Sequence, residues 1–256
     1  MSVFSKSSWG TKLLKSGLFS DVCIYVGDSS FRCHKIVLAC ASKFFEKLFQ
    51  HDDEQTGEVT LEGVTPEVFK MFLEFIYKPN DDQLDDLEPE LLMSVLKCAN
   101  MWLATEVEGR CAKILLTLCE YMEPNTLFRL YAVSFFVDHE LLMIVVVQFL
   151  HEKWPHKIDC PSTAKMELDC FKEYFQSTKK IISELRRFNM IENWFNENNF
   201  DSKCSSITDQ ITDMLKSIDF QEMTLKEIFD GPGKSNVLSD TFAYRYNLLN
   251  SLKAKL

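Results

Sequence analysis

The chain has 256 residues, 46% of them hydrophobic and 26% charged, an ordinary balance that is long enough for one large domain or two of usual size. Its net charge of −10 is concentrated: residues 51–90 hold 13 Asp and Glu against Lys70 and Lys78, and the remainder is close to neutral. A near-neutral body with one acidic stretch lacks the basic stripe that displaces counterions from phosphates, which argues against nucleic-acid binding.

The opening MSVFSKSSWG has no apolar core of a signal peptide, and nine cysteines with no Asn-x-Ser/Thr acceptor point to free thiols in a reducing compartment, cytosol or nucleus. Val22, Ile24 and Val26 alternate in SDVCIYV, GDSS (27–30) is a turn signal, and FRCH (31–34) resumes the pattern, which predicts a hairpin. KIVLACAS then turns helical, and a second helix follows from Ser42 with Phe44, Phe45, Leu48 and Phe49 on its apolar side. EVTLEG (58–63) reads as a short strand. Thr65-Pro66 starts a helix, Thr as cap and Pro in the first turn, and Phe69, Phe72, Leu73 and Ile76 follow at helical spacing.

Residues 79–90 (PNDDQLDDLEPE) read as an acidic loop, solvated or a docking edge for a basic partner. Helices are expected at about 90–101 and 105–119, the second opened by a Thr105-x-x-Glu108 capping box. From there the pattern is helical: Leu127, Leu130, Tyr131, Ser134 and Phe135 share a face, and LLMIVVVQFL (141–150) is half the length a bilayer requires. Further helices are predicted near 165–177, 179–198 and 205–217. Thr224-x-x-Glu227 caps a short one, GPGK (231–234) turns, and a last helix begins at Ser239. Strands with helices to about residue 118, then helices alone, give an α+β fold class.

Two stretches invite chemistry. Cys33, His34 and Cys40 lie within eight positions, but zinc needs four convergent ligands at short spacing and a thiolate needs an electropositive, partly exposed setting. Their apolar context reads as core, with Cys40 on the buried face of its helix. In HEKWPH (151–156) the second His is one residue late for His-Glu-x-x-His, and Pro155 breaks the helix that must hold both. No nucleotide loop or nucleophile elbow occurs. The expectation is a non-enzyme with no cofactor and no metal.

SDVCIYVGDSSFRCHKIVLACASKFFEKLF resembles the opening of a BTB (POZ) domain, with Asp21, His34, Leu38, Ala39, Ser42 and Phe45 at its signature positions. Thr65-Pro66…Phe69…Leu73-Glu74-Phe75-Ile76-Tyr77 is similar to that domain's next helix. Residues 123–154, Trp194 in MIENWFNE and the segment 218–240 resemble a BACK domain, the helical module that follows BTB in kelch-type cullin adaptors. The resemblance implies a BTB domain over 5–118, a small sheet with flanking short helices, and an all-α BACK-like domain over 119–256.

It further implies a protein-binding adaptor of a cullin-RING ubiquitin ligase, in cytoplasm or nucleus, with a cullin, a second copy of itself and an unidentified target protein as partners. A homo-oligomerising scaffold without a cullin is the alternative. Kelch, MATH and zinc-finger segments do not occur in the sequence. The residues that the resemblance assigns to cullin contact are Phe49, His51, Asp52, Glu54 and Tyr77. Glu54 supplies the family's Glu, while Asp52 stands where the family carries an apolar anchor. An N-terminal helix carrying Trp9, Leu13, Leu14 and Leu18 implies a homodimer face or, equally, a cover for the chain's own core. The ending Ala254-Lys255-Leu256 is a weak match to a peroxisomal address.

Overall fold

A computed structural model describes residues 9–50, 57–78, 88–198, 205–235 and 237. The chain divides into two compact units, Met1–Met122 with Phe136–Leu142 and Glu123–Phe135 with Met143–Leu256.

In the first unit β1 (Val22–Val26) and β2 (Ser29–Cys33) pair antiparallel, and β3 (Glu58–Leu61) joins β1 in parallel, giving the order β2-β1-β3. Only Gly27 and Asp28 remain in the turn, tighter than the GDSS expected, because Ser29 already pairs with Val26. Gly27 takes φ 54, the positive value that the first position of a two-residue hairpin loop requires. Val22, Ile24 and Val26 are buried on one face of β1, as their alternation predicts. The parallel pairing of β1 with β3 needs a long crossover, which is α2 (Lys35–Ala41) and α3 (Lys43–Gln50).

α1 (Trp9–Ser16) packs against α4 (Pro66–Tyr77), whose Thr65 accepts a hydrogen bond from the amide of Val68, the cap predicted from Thr65-Pro66. α5 (Pro89–Met101) and α6 (Thr105–Leu118) form an antiparallel pair. The capping box expected at Thr105 is absent: Ala104 is the N-cap, Thr105 is already inside the helix, and Glu108 instead accepts from the Asn100 side chain at 3.4 Å. Phe45, Phe69, Phe72 and Trp102 form one buried aromatic cluster, the Phe72 and Trp102 rings 4.8 Å apart and edge-on.

The second unit is helical. It comprises α7 (Pro124–Phe136), α8 (Glu140–Lys153), α9 (Leu168–Ser177), α10 (Glu184–Glu197), α11 (Ser205–Lys216) and α12 (Leu225–Asp230). Pro124 and Glu140 start helices whose last or first residues belong to the first unit. Tyr174 of α9 packs edge-on against Phe128 and Tyr131 of α7, and its hydroxyl donates to the Ile158 carbonyl at 3.0 Å. Trp194 of α10 stacks on Phe171 and donates from Nε1 to the Met166 carbonyl at 2.8 Å. Hydrogen bonds from Arg186 hold the Asp159 carboxyl below the usual carboxylate range. The Thr224–Glu227 capping box forms as read from the sequence, and GPGK ends in a 3-10 turn at Pro232–Lys234. The expected last helix from Ser239 and the acidic stretch 79–87 lie outside the described residues.

Candidate protein-interaction surfaces

His34 follows β2 at the N-cap position of α2, and both of its ring nitrogens are committed. Nδ1 lies 2.8 Å from the Tyr77 hydroxyl and Nε2 lies 2.8 Å from the Leu18 carbonyl. The His34 amide also donates to the Tyr77 oxygen at 3.1 Å. One assignment satisfies every contact: Nε2–H donates to Leu18, and Tyr77 donates to Nδ1 while accepting from the amide. This is a clamp between the end of β2, α4 and the residues after α1, with His34 and Tyr77 buried inside the unit.

Cys33 is fully buried and burial pushes its thiol up to about 12, as it does for Cys111 and Cys170. Cys119 is pushed to about 11 and Cys98 is raised, again by burial. Cys40, expected on the buried face of α2, is exposed. α2 buries one line through Leu38, and Cys40 lies two positions, roughly 200° of helical rotation, away from it. Among the described thiols, native-state labelling with iodoacetamide at pH 8, mapped by mass spectrometry, is therefore expected to modify Cys40 first and the five buried ones only on unfolding. Labelling of Cys33 at the rate of Cys40 contradicts this.

In HEKWPH, α8 ends at Lys153 and the second imidazole, His156, lies exposed beyond it. His151 is half-buried, its pKa is lowered by burial, and its Nε2 is without a hydrogen-bond partner. The two rings do not share a helix face.

Among the described residues of the first unit, two apolar surfaces border the elements that the sequence singles out. The first borders α3. Ser42 Oγ donates to the Trp102 carbonyl at 2.5 Å and accepts from the Phe45 amide, while the Lys43 and Phe44 amides reach the Leu103 and Trp102 carbonyls. These bonds fix the start of α3 against a turn in which Leu103 adopts φ 53. Leu103 and Met101 are about half exposed there. At the other end of α3, Phe49 is half-buried, stacked on Phe45 with Lys35 Nζ 5.6 Å from its ring. Tyr77 is fully buried in the His34 clamp, so it presents no surface and belongs to the core rather than to a contact set. His51, Asp52 and Glu54 lie outside the described residues.

The second surface surrounds the end of α1. Leu13 and Leu14 are half-buried, and Leu14 lines a depression with Phe31 and Leu73 of the same unit. Leu18 is half exposed, and Phe19 (81%) and Ile36 (72%), next in sequence to Leu18 and two residues after His34, are largely exposed. The structure describes Trp9 only as the first residue of α1. Sequence periodicity had no means to find Phe19 or Ile36, because a lone apolar residue in a loop or first turn carries no phase.

Residues 11–118 match the BTB/POZ domain family. Similar curated proteins include kelch-like protein 41b of Danio rerio, 32% identical over 84 residues, and kelch-like protein 25 of Rattus norvegicus, 34% identical over 87 residues. These alignments cover 31% and 30% of this chain and only 14% and 15% of the relatives' own length. Among solved structures, the BTB domain of zebrafish PATZ1 is 28% identical, with a TM-score of 0.36, over 42% of this chain and 86% of that one.

Proposed function

We propose that this chain, whose residues 11–118 are a BTB/POZ domain, is a non-catalytic adaptor. The domain, over 5–118, would hold the cullin scaffold of a RING-type ubiquitin ligase, and a BACK-like helical domain over 119–256 would extend it toward a target protein. The observation that carries the reading is the pair Met101 and Leu103, exposed beside the fixed start of α3 in a domain similar to those of kelch-like proteins. Half-exposed apolar side chains on a rigid turn suit a protein contact, since burying them on binding costs little ordering. Phe49 at the other end of α3, with Asp52 and Glu54 that follow it in the sequence, completes the candidate contact, in cytoplasm or nucleus.

Calorimetric titration of the purified chain with a cullin N-terminal domain tests this. Saturable binding is expected, and Leu103→Asp should weaken it by at least about tenfold, the loss of a central apolar anchor, with the melting temperature unchanged. Absence of binding by the natural sequence, with binding gained by Asp52→Met, overturns the cullin assignment. The reading that then stands is a homo-oligomerising scaffold, which Leu18, Phe19 and Ile36 favour by presenting apolar surface for a second copy. Sedimentation of the natural chain and of Phe19→Asp separates the two, because only the scaffold depends wholly on self-association.

A further inference from the structure

The first unit contains a concave site beside the end of α1, apart from the α3 contact proposed for a cullin. Between the end of α1, the strand β2 and the helix α4 lies a depression of about 220 Å³. Leu14 and Phe31, both half-buried, make its apolar floor over the buried Leu73, and Phe31 is itself braced edge-on against Phe69 at 5.1 Å. Its rim is cationic: Lys15 from the last turn of α1 and Arg32 from β2 stand over it, both exposed. Gly17 allows the close approach, since a side chain there would meet the Arg32 stem at 3.2 Å, and its φ of +60 suits glycine.

The charge is anomalous for this protein. In a chain of net −10, α1 carries Lys12 and Lys15 and no acid, and among the described residues neither Lys15 nor Arg32 has a carboxylate within 4 Å. Lys15 is favoured locally by the carbonyls at the end of α1. Arg32 has no such local reason. Among the described residues β2 is also an edge strand of its sheet. An open apolar floor beneath unpaired cations is complementary to an extended segment that alternates apolar and acidic side chains.

We propose that this depression binds an acidic peptide, with an apolar side chain on Leu14 and Phe31 and flanking carboxylates on Lys15 and Arg32. The fork of Arg32 suits a carboxylate in two-point contact. The site draws on α1, β2 and α4, not on α3, so it stands or falls independently of the cullin reading.

The test is fluorescence anisotropy of the full chain with a fluorescein-labelled peptide of alternating Asp and Leu. Saturable binding is expected, weakening as salt rises. Lys15→Glu with Arg32→Glu should weaken it by about tenfold, because two attractions become repulsions, whereas Lys165→Glu in the other unit leaves it unchanged. Peptides with Asn for Asp, or Gly for Leu, should each bind more weakly, one losing the rim and the other the floor. Thermal melts of the variants establish that they fold. Failure of the Asp-Leu peptide to saturate overturns the proposal, as does equal binding by the double reversal or the Asp-Gly peptide. Oligothymidine binding as tightly, with the same dependence on Lys15 and Arg32, overturns it in favour of a phosphate-backbone site.

Discussion

Arg187→Met is expected to destabilise the helical unit by about 3–5 kcal/mol, the range for removing one partner of a buried ion pair. Arg187 is fully buried in α10, and its guanidinium lies 4.3 Å from the centre of the Phe175 ring. Nη1 donates to both Glu184 oxygens at 3.0 Å and to the Ser217 carbonyl at 3.3 Å, while Nη2 reaches Ser217 Oγ at 3.3 Å. Glu184, 7% exposed, also accepts from the Asp219 amide at 3.1 Å. One ion pair thus ties the first turn of α10 to the residues that follow α11.

Methionine fills much of the volume but leaves the Glu184 carboxylate buried with one backbone donor, and that uncompensated charge is the cost. Adding Glu184→Gln removes the charge. The double variant is therefore expected to be more stable than Arg187→Met alone, a non-additivity that urea unfolding of the two single variants and the double measures. If Arg187→Met stays within about 1 kcal/mol of the natural chain, the level of an exposed pair, the ion pair is not what closes this unit.

That network also marks where reading the sequence stops. Its signal, Glu184-x-x-Arg187, is an ordinary surface spacing on a helix, and only the packing of Phe175 above it shows that it is interior. By contrast, Thr65-Pro66 and Thr224-x-x-Glu227 were legible because a cap is a local device, complete within one helical turn. Thr105-x-x-Glu108 has the same letters and failed, since the turn at Trp102–Leu103, fixed by bonds to Ser42 and Lys43, carries the helix start back to Ala104. The hairpin of β1 and β2 followed from alternation, while the parallel pairing of β3 with β1 is a long-range choice that no short window contains.

Among candidate contact residues the same division holds. Phe49 and Leu18 carry some exposed surface, as a contact role needs. Tyr77 was assigned from its place in a motif, and the hydroxyl that gives the motif its tyrosine turns out to serve His34. Met101 and Leu103 lie at a helix end where periodicity is lost, so their exposure is decided by a left-handed residue at position 103.

Phe72→Ala is expected to cost about 3–5 kcal/mol, the usual loss for a large aromatic truncated in a core, and Phe72→Leu about 1 kcal/mol, since most of the volume is kept. Phe72 is fully buried and touches Phe45, Phe69 and Trp102, so the cavity opens at the centre of the aromatic cluster, where the surrounding rings have little freedom to collapse. The consequence extends beyond stability. Trp102 packs its ring on Phe72 and gives its carbonyl to Ser42 and Phe44, so the same side chain braces the turn that presents Met101 and Leu103. Amide exchange at Phe44 and Phe45 is expected to accelerate in Phe72→Ala, and partner affinity at that turn to fall with it, although Phe72 is inaccessible to any partner. Leu103→Asp produces the reverse pattern, with affinity lost and exchange at Phe44 and Phe45 unchanged. If Phe72→Ala unfolds no more easily than Phe72→Leu, or leaves exchange at Phe45 untouched, the cluster does not hold the turn.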